Sequence, residues 1–284
     1  MKKKRFLILS LLVMVLILIV GCTPSAPSVQ YGTIDVNSTP IGAKVYLDGT
    51  DTGQATPIVL TSVGVGSHTI KLDLFHYKIW ENNAVTVVAN EPTYLNPPLV
   101  VAPEKTITLQ PGLEGIDSTV SSLFPNNNYG DLEYCGVGNT VNTFNNIMRT
   151  YIKFDLSTVP ANAIVVDADL KLFQFSTLGT DNFTIGLYKV TIDWGENTIV
   201  YSSQPTCSVD AEITSDITAG AIIWKSWDID TLVQAWLDGS ITNYGVVLKD
   251  TDEVLISSTA YFWTSDYLVD STKRPELVIY YYIP

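Results

Sequence analysis

The sequence predicts an all-β fold, and three observations carry that reading. Apolar and polar residues alternate with period two in several runs. Ala43, Val45 and Leu47 alternate with Lys44, Tyr46 and Asp48, and Ile70, Leu72 and Leu74 with Thr69, Lys71 and Asp73. Ala168, Leu170 and Leu172 alternate in the same way with Asp167, Asp169 and Lys171. Such runs mark strands with one buried face. Turn chemistry separates them, as at Asp48-Gly49 followed by Asp51-Thr52-Gly53. Helical spacing appears in one stretch only, Asp230 to Asp238, where Leu232, Val233, Trp236 and Leu237 share a face. Asp230 suits an N-cap and Gly239 a C-cap, so one short helix is expected, closing an end of a sandwich.

Taken in order, the chain opens with Lys2, Lys3, Lys4 and Arg5, then an apolar run from Phe6 to Val20 broken only by Ser10. That run falls short of the ~20 residues that cross a bilayer as a helix. It ends in Ile19-Val20-Gly21-Cys22, followed by Thr-Pro-Ser-Ala-Pro-Ser. A basic start, an apolar middle and a small residue before the cut describe an export signal. It resembles a prokaryotic lipoprotein signal, which implies removal of residues 1–21 and lipidation of Cys22. An uncleaved membrane anchor is the alternative; under both, the remaining chain lies outside the cytoplasmic membrane. Residues 22–30 form a Pro/Ser-rich tether. A first β domain covers 31–100. Pro92, Pro97, Pro98, Pro103 and Pro111 disfavour long strands between 91 and 111, and a boundary falls near 100–104. The second domain covers 105–284. It ends in a strand that is apolar on both faces, Leu277, Ile279, Tyr281 and Ile283 against Val278, Tyr280 and Tyr282, as a central strand would be.

Composition restricts function. The chain has 284 residues, 46% of them hydrophobic, with 16 Lys+Arg, 29 Asp+Glu and a net charge of −13. Four of the basic residues fall within 1–21, leaving 12 against 29 acidic ones and a net charge of −17 for the exported body. Such a surface excludes nucleic acid and disfavours other polyanions. Membrane attachment would come from acyl insertion and not from headgroup attraction. The two histidines, His68 and His76, both precede Tyr77, so the larger domain has no imidazole for Ser-His-Asp or Cys-His catalysis or for most zinc sites. No nucleophile motif, phosphate loop or cofactor fingerprint occurs. A glycosidase needs only two carboxylates, and sequence does not single out a pair among so many acids. With Cys22 assigned to lipid, Cys135 and Cys207 remain; an even remainder permits a disulfide, and two separate buried thiols are the alternative.

Two resemblances organise these readings. Pro40-Ile-Gly-Ala43, Val45-Tyr-Leu-Asp48-Gly49, Gly53, Thr56-Pro57, Gly66, His68 and Tyr77 resemble the PEGA domain. That resemblance implies a small extracytoplasmic β-sandwich without catalytic residues, with the histidines serving strands and turns. The second domain resembles the DNRLRE domain, also grouped as carbohydrate-binding module family 96. The landmarks begin with Asp117-Ser-Thr-Val, Pro125-Asn-Asn-Asn-Tyr129-Gly130 and Arg149-Thr-Tyr151-Ile-Lys153-Phe154-Asp155-Leu156. They continue with Ala168-Asp-Leu170-Lys-Leu172, Trp194, Glu196, Gln204-Pro205 and Trp227-Asp228-Ile229. The last are Leu232-Val-Gln-Ala-Trp236, Asn243-Tyr244-Gly245-Val-Val-Leu248 and Arg274-Pro275-Glu-Leu277. Gly195 and Asp230 depart from the usual acidic residue and Thr of that pattern. This resemblance implies a jelly-roll-like β-sandwich on a cell surface, with sugar binding in some members.

Sugar binding needs flat exposed aromatics beside polar groups. Trp227 and Trp236 match framework positions and are expected in the core. Trp224, three residues from Trp227, falls on the opposite strand face, and Phe262 fits the framework better than Trp263. Trp224 and Trp263 are therefore the candidate sugar platforms, or they pack against the first domain. Tyr129 and Asn127 in the Asn-rich loop are further candidates; Asn126, Asn127 and Asn128 suit sugar hydroxyls or turns. No cofactor is expected beyond structural calcium, for which Asp117, Asp155, Asp250 and Asp252 are the candidates against a merely solvated acidic surface. The expected function is binding of carbohydrate, a polysaccharide or cell-wall glycan, by a lipid-anchored extracytoplasmic protein. The competing expectation is a structural or protein-binding module of the cell surface.

Overall fold

A computed structural model describes residues 29–140, 145–254 and 258–284. The signal at 1–21, Cys22 and most of the tether lie outside the described residues. The chain divides into two compact units, the first reaching Phe75 and resuming over Ile79–Val100, the second comprising His76–Lys78 and Val101–Pro284.

The first unit carries seven strands: β1 Tyr31–Val36, β2 Lys44–Leu47, β3 Thr50–Ala55, β4 Ile58–Gly64, β5 Gly66–Asp73, β6 Trp80–Val87 and β7 Pro92–Leu95. They form two small sheets, β4-β1-β7 and β3-β2-β5-β6. Period-two alternation buries Ile34 and Val36 from one sheet and Val45, Ile70, Leu72, Val85 and Val87 from the other. Asp48 and Gly49 join β2 to β3 with φ of 50° and 78°. Both residues of such a hairpin turn need positive φ, which explains the Asp-Gly pair. His68 fastens that turn, with Nδ1 2.7 Å from Asp48 Oδ2 and Nε2 2.8 Å from the Gly64 carbonyl. The histidine is thus a turn strut, as the PEGA resemblance implied.

The second unit carries β8 Lys105–Leu109, β9 Ile116–Ser121, β10 Tyr134–Thr140, β11 Asn146–Lys153, β12 Ile164–Leu178 and β13 Phe183–Lys189. After them come β14 Ile213–Ile217, β15 Ile223–Asp228, helix α1 Asp230–Leu237, β16 Val246–Asp250, β17 Ser258–Trp263 and β18 Glu276–Tyr282. The eleven strands form one curled sheet in the order β14-β13-β16-β11-β10-β17-β12-β18-β8, with β15 beside β12 and β9 beside β11. Curling brings the inward residues of both halves onto one core. Ile152, Ile185, Leu187, Val246 and Leu248 meet Ala168, Leu170, Leu172, Phe262, Leu277 and Ile279 there. Trp227 is 1% exposed, and its indole N–H reaches the Ile185 carbonyl across the core at 3.4 Å. Trp236 is half-buried and packs against the edge of the same cluster, so the two framework tryptophans serve the core, one inside it and one at its margin. β18 runs between β12 and β8 and is antiparallel to both, so it is an interior strand of the sheet.

One helix boundary differs from expectation. The N-cap is Ile229, and Asp230 is the first helical residue. Asp228 Oδ1 takes the Asp230 N–H at 3.2 Å, so the cap function is displaced two residues upstream. Gly239 has φ 75° just past the helix, as a left-handed C-terminal residue should.

Candidate functional site

Strand alternation decides which aromatic rings face outward. On β12, Leu170 and Leu172 enter the core, which turns Phe173 to the outer face. A bulge between Gln174 and Ser176 interrupts the register at Phe175. On β17, Ala260 and Phe262 point inward and Tyr261 and Trp263 outward. On β10, Cys135 and Val137 are core residues, so Tyr134 faces out. On β15, Trp227 is inward and Trp224 outward. Four neighbouring strands thus lay a continuous aromatic strip over one outer face.

The strip has two parts. Phe173 and Trp224 meet edge to face at 5.5 Å, and Lys273 Nζ stands 5.2 Å from the Phe173 ring centre. Next to them, Trp263 is stacked between Phe175 and Tyr267, with centroids 3.8 Å away on either side. Tyr261 and Tyr134 border this stack, 6.0 Å from each other and each 6.4 Å from Phe175. Tyr134 is 43% exposed. Gly136 leaves the space in which Met148 and Tyr261 lie over β10; a Cβ there would come within 2.6 Å of Met148 Cε. No hydrogen bond reaches the Tyr134 and Tyr261 hydroxyls or the Trp224 indole N–H among the described residues.

The four expected ligand residues separate. Trp224 keeps a partly exposed ring with one aromatic neighbour and suits a platform. Trp263 does not, because both its faces are already covered; it is the centre of a stack and not a free shelf. Asn127 is exposed, and its N–H closes a turn onto Phe124 O at 3.1 Å. Tyr129 sits half-buried in that loop, with no ring contact to the strip among the described residues. The neighbouring Asn128 donates to the carbonyls of Glu196 and Ile199 at 2.6 and 2.8 Å, so this run serves turns and loop attachment. Phe173, Phe175, Tyr134, Tyr261 and Tyr267 were not among the expected residues. Continuing the alternation beyond Leu172 would have placed Phe173 on the outer face.

Comparison with known families bears on this surface. Residues 112–280 match carbohydrate-binding module family 96, which is more than half of the chain. The chain belongs to carbohydrate-binding module family 96. Residues 31–102 match the PEGA domain. No curated protein matches the chain. A solved structure of infectious bursal disease virus Gx strain aligns with 90% of this chain and 63% of that one, at 11% identity and a TM-score of 0.19. That score does not equate the two folds.

Several of the family 96 landmarks fasten a covering segment. The segment Thr191–Glu212 lies over the other outer face of the sheet, covering Val120, Tyr151, Tyr188 and Val247. Arg149 forms a two-pronged ion pair with Glu253 at 2.7 and 2.6 Å and donates to Gln204 Oε1 at 3.0 Å. The carboxylate beside it raises the Arg149 pKa. The Tyr151 hydroxyl donates to Gln204 Oε1 and to the Pro205 carbonyl at 3.1 and 3.2 Å. Trp194 donates to the Tyr244 carbonyl at 2.8 Å and packs edge-on to Tyr151 at 5.6 Å. Gly245 has φ 75°, and a Cβ there would overlap the Ile152 carbonyl. An open pocket of about 320 Å³ within this segment is lined by Trp194, Gly195, Ile199, Gln204 and Pro205. A groove of about 620 Å³ lies elsewhere in the unit, between Leu109, Pro111, Ile116, Lys153 and Phe154. Neither presents a stack of rings.

The remaining expected sites also resolve. Cys135 and Cys207 are both free. Cys135 is in the central core, where burial pushes its thiol pKa up, whereas Cys207 belongs to the Thr191–Glu212 segment and packs on the opposite face of the sheet. That separation rules out the disulfide. Asp155 caps its own turn, accepting from the Ser157 N–H and hydroxyl at 2.8 Å each. Asp250 Oδ1 takes the Asp252 N–H at 3.0 Å, and burial pushes the Asp250 carboxyl up to about 6. Asp252 Oδ1 in turn accepts from Val254 N–H at 3.2 Å. Asp117 is buried, and its carboxyl is pushed up to about 7.

Proposed function

We propose that the second unit binds a neutral glycan on the aromatic strip of its outer face, and that the protein displays this unit outside the cytoplasmic membrane from a lipid on Cys22. Both matched families are binding or structural modules. The observation that carries the reading is the strip itself, rings from four adjacent strands with the polar tips of Tyr134, Tyr261 and Trp224 unpartnered among the described residues. Aromatic faces stack on the apolar faces of sugar rings, and such tips bond hydroxyls. The net charge of −17 on the exported body favours neutral glycans over uronates and sulfated chains. PEGA domains are extracytoplasmic, which agrees with display at the cell surface.

The test is a glycan array with the exported chain, followed by calorimetry on the best neutral hit. Trp224→Ala should lower affinity about tenfold, equivalent to roughly 1.4 kcal/mol, with binding insensitive to salt between 50 and 500 mM. Failure to bind any neutral glycan, or full affinity in Trp224→Ala, would defeat the proposal and leave a structural or protein-binding module as the better account.

A further inference from the structure

Strand register sets the direction of the aromatic strip. Trp224 on β15 pairs with Phe173 on β12. On the other edge of β12, Gln174 pairs with Phe262 of β17, and one further step of that antiparallel register sets Trp263 against Phe173. Trp263 pairs in turn with Tyr134 on β10. Trp224, Phe173, Trp263 and Tyr134 therefore stand at one level on four neighbouring strands, and all four point to the outer face. Neighbouring strands lie about 4.8 Å apart, so this row crosses them at right angles and its outermost residues are about 14 Å apart.

The outward positions on either side of the row are different. On one side Lys171 and Ser226 pair across β12 and β15. On the other, Tyr261 of β17 pairs with Gly136 of β10, which has no side chain to add. A line of rings is thus flanked by an ammonium group and two hydroxyls, and Lys273 Nζ stands 5.2 Å from the Phe173 ring centre. Both ends of the row carry a polar atom without a partner among the described residues, Trp224 Nε1 and the Tyr134 hydroxyl. Trp263 can offer only its ring edge, because both its faces are covered.

One residue of an extended pyranose chain advances about as far as one strand interval. A single sugar or a disaccharide therefore reaches only part of the row. We infer, resting on the glycan reading of this strip, that its ligand is a linear, extended chain of neutral pyranoses laid across the strands, with four consecutive residues in contact, one for each strand. Chains of β-1,4-linked hexopyranoses keep successive rings in one line and suit a straight row. Chains linked α-1,4 coil away from it. Length and shape of the chain then decide binding, while the polar flank orients the hydroxyls.

The experiment is calorimetry of the exported chain with β-1,4-linked oligomers of glucose, mannose and N-acetylglucosamine, from one to six residues, against α-1,4-linked glucose oligomers of the same lengths. In at least one β-1,4 series, affinity should rise about tenfold or more from two residues to four, and less than about twofold from four to six. The α-1,4 tetramer should bind at least about tenfold more weakly. Trp224→Ala and Tyr134→Ala each remove one end of the row, so each should move the plateau from four residues to three. Tyr94→Ala, on an exposed ring of the first unit, should leave it at four. A disaccharide that binds as tightly as its tetrasaccharide, or a plateau unmoved in both folded variants, would overturn the inference and leave the glycan reading standing. Equal binding of the α-1,4 tetramer, or array hits confined to short or branched neutral glycans, would do the same. If no neutral glycan binds at all, both fall together. The wild-type length series decides even where a variant does not fold.

Discussion

The two outer faces of the curled sheet are both rich in aromatic residues, and they are treated in opposite ways. One carries Tyr151, Tyr188 and Tyr244, and a long segment bearing Trp194 and Tyr201 closes over it. There the polar tips of Tyr151 and Trp194 are bonded to protein groups. The other carries Tyr134, Phe173, Phe175, Tyr261, Trp263 and Trp224, and the tips of Tyr134, Tyr261 and Trp224 find no protein partner among the described residues. A ring whose polar atom is satisfied internally belongs to the fold. A ring that leaves its polar atom toward solvent is suited to a ligand, because an unpaired polar group gains most from a new partner.

Three substitutions would break or sharpen this contrast. Arg149→Ala should have the largest effect, since it strands the half-buried Glu253 carboxylate and frees Gln204. A loss of about 2–3 kcal/mol in urea unfolding of the second unit is expected; a loss below about 0.5 kcal/mol would mean the covering segment does not depend on this pair. A matched pair of hydroxyl deletions comes next. Tyr151→Phe should cost about 1 kcal/mol of stability and leave glycan affinity intact. Tyr134→Phe should do the reverse, with unchanged unfolding and affinity lowered about two- to fivefold by calorimetry. Equal behaviour of the two variants would erase the distinction between the faces.

The smallest effect lies in the first unit. Its bonds to Asp48 and to the Gly64 carbonyl raise the His68 pKa above its ordinary value. A raised folded pKa adds stability that is fully present below the unfolded value near 6.5 and is lost as pH rises through the folded value. His68→Gln should therefore lower the melting temperature at pH 5.5 and have little effect at pH 8.5, with a difference under about 1 kcal/mol because the pair is near the surface. A pH-independent effect would show that His68 acts by packing alone.

Much of this was legible in the sequence, and the reason is parity. Strand parity separates Trp227 from Trp224 in the sequence, and the family framework separates Phe262 from Trp263. Alternation assigns a side of a sheet, however, and says nothing of what covers that side. Trp263 therefore read as a platform, although Phe175 from a distant strand and Tyr267 from the loop just beyond β17 take both its faces. For the same reason the Arg149, Tyr151, Gln204 and Pro205 landmarks were recognisable as a pattern while their purpose, holding down a remote segment, was not. Strand parity places Cys135 inward, but Cys207 lies in irregular chain where no parity applies, so the absence of a bridge needed the fold itself.

The stack that denies Trp263 to a ligand also governs how its neighbours would bind one. Phe175 and Tyr267 are clamped against Trp263 at 3.8 Å, while Phe173 and Phe175 rise from a single fifteen-residue strand bonded to β15, β17 and β18. Rings held this way lose little rotamer freedom when a partner arrives, because folding has already taken it. A glycan meeting this strip would leave most of the ordering cost to its own glycosidic torsions, so affinity should rise steeply for stiff, extended sugar chains over flexible ones.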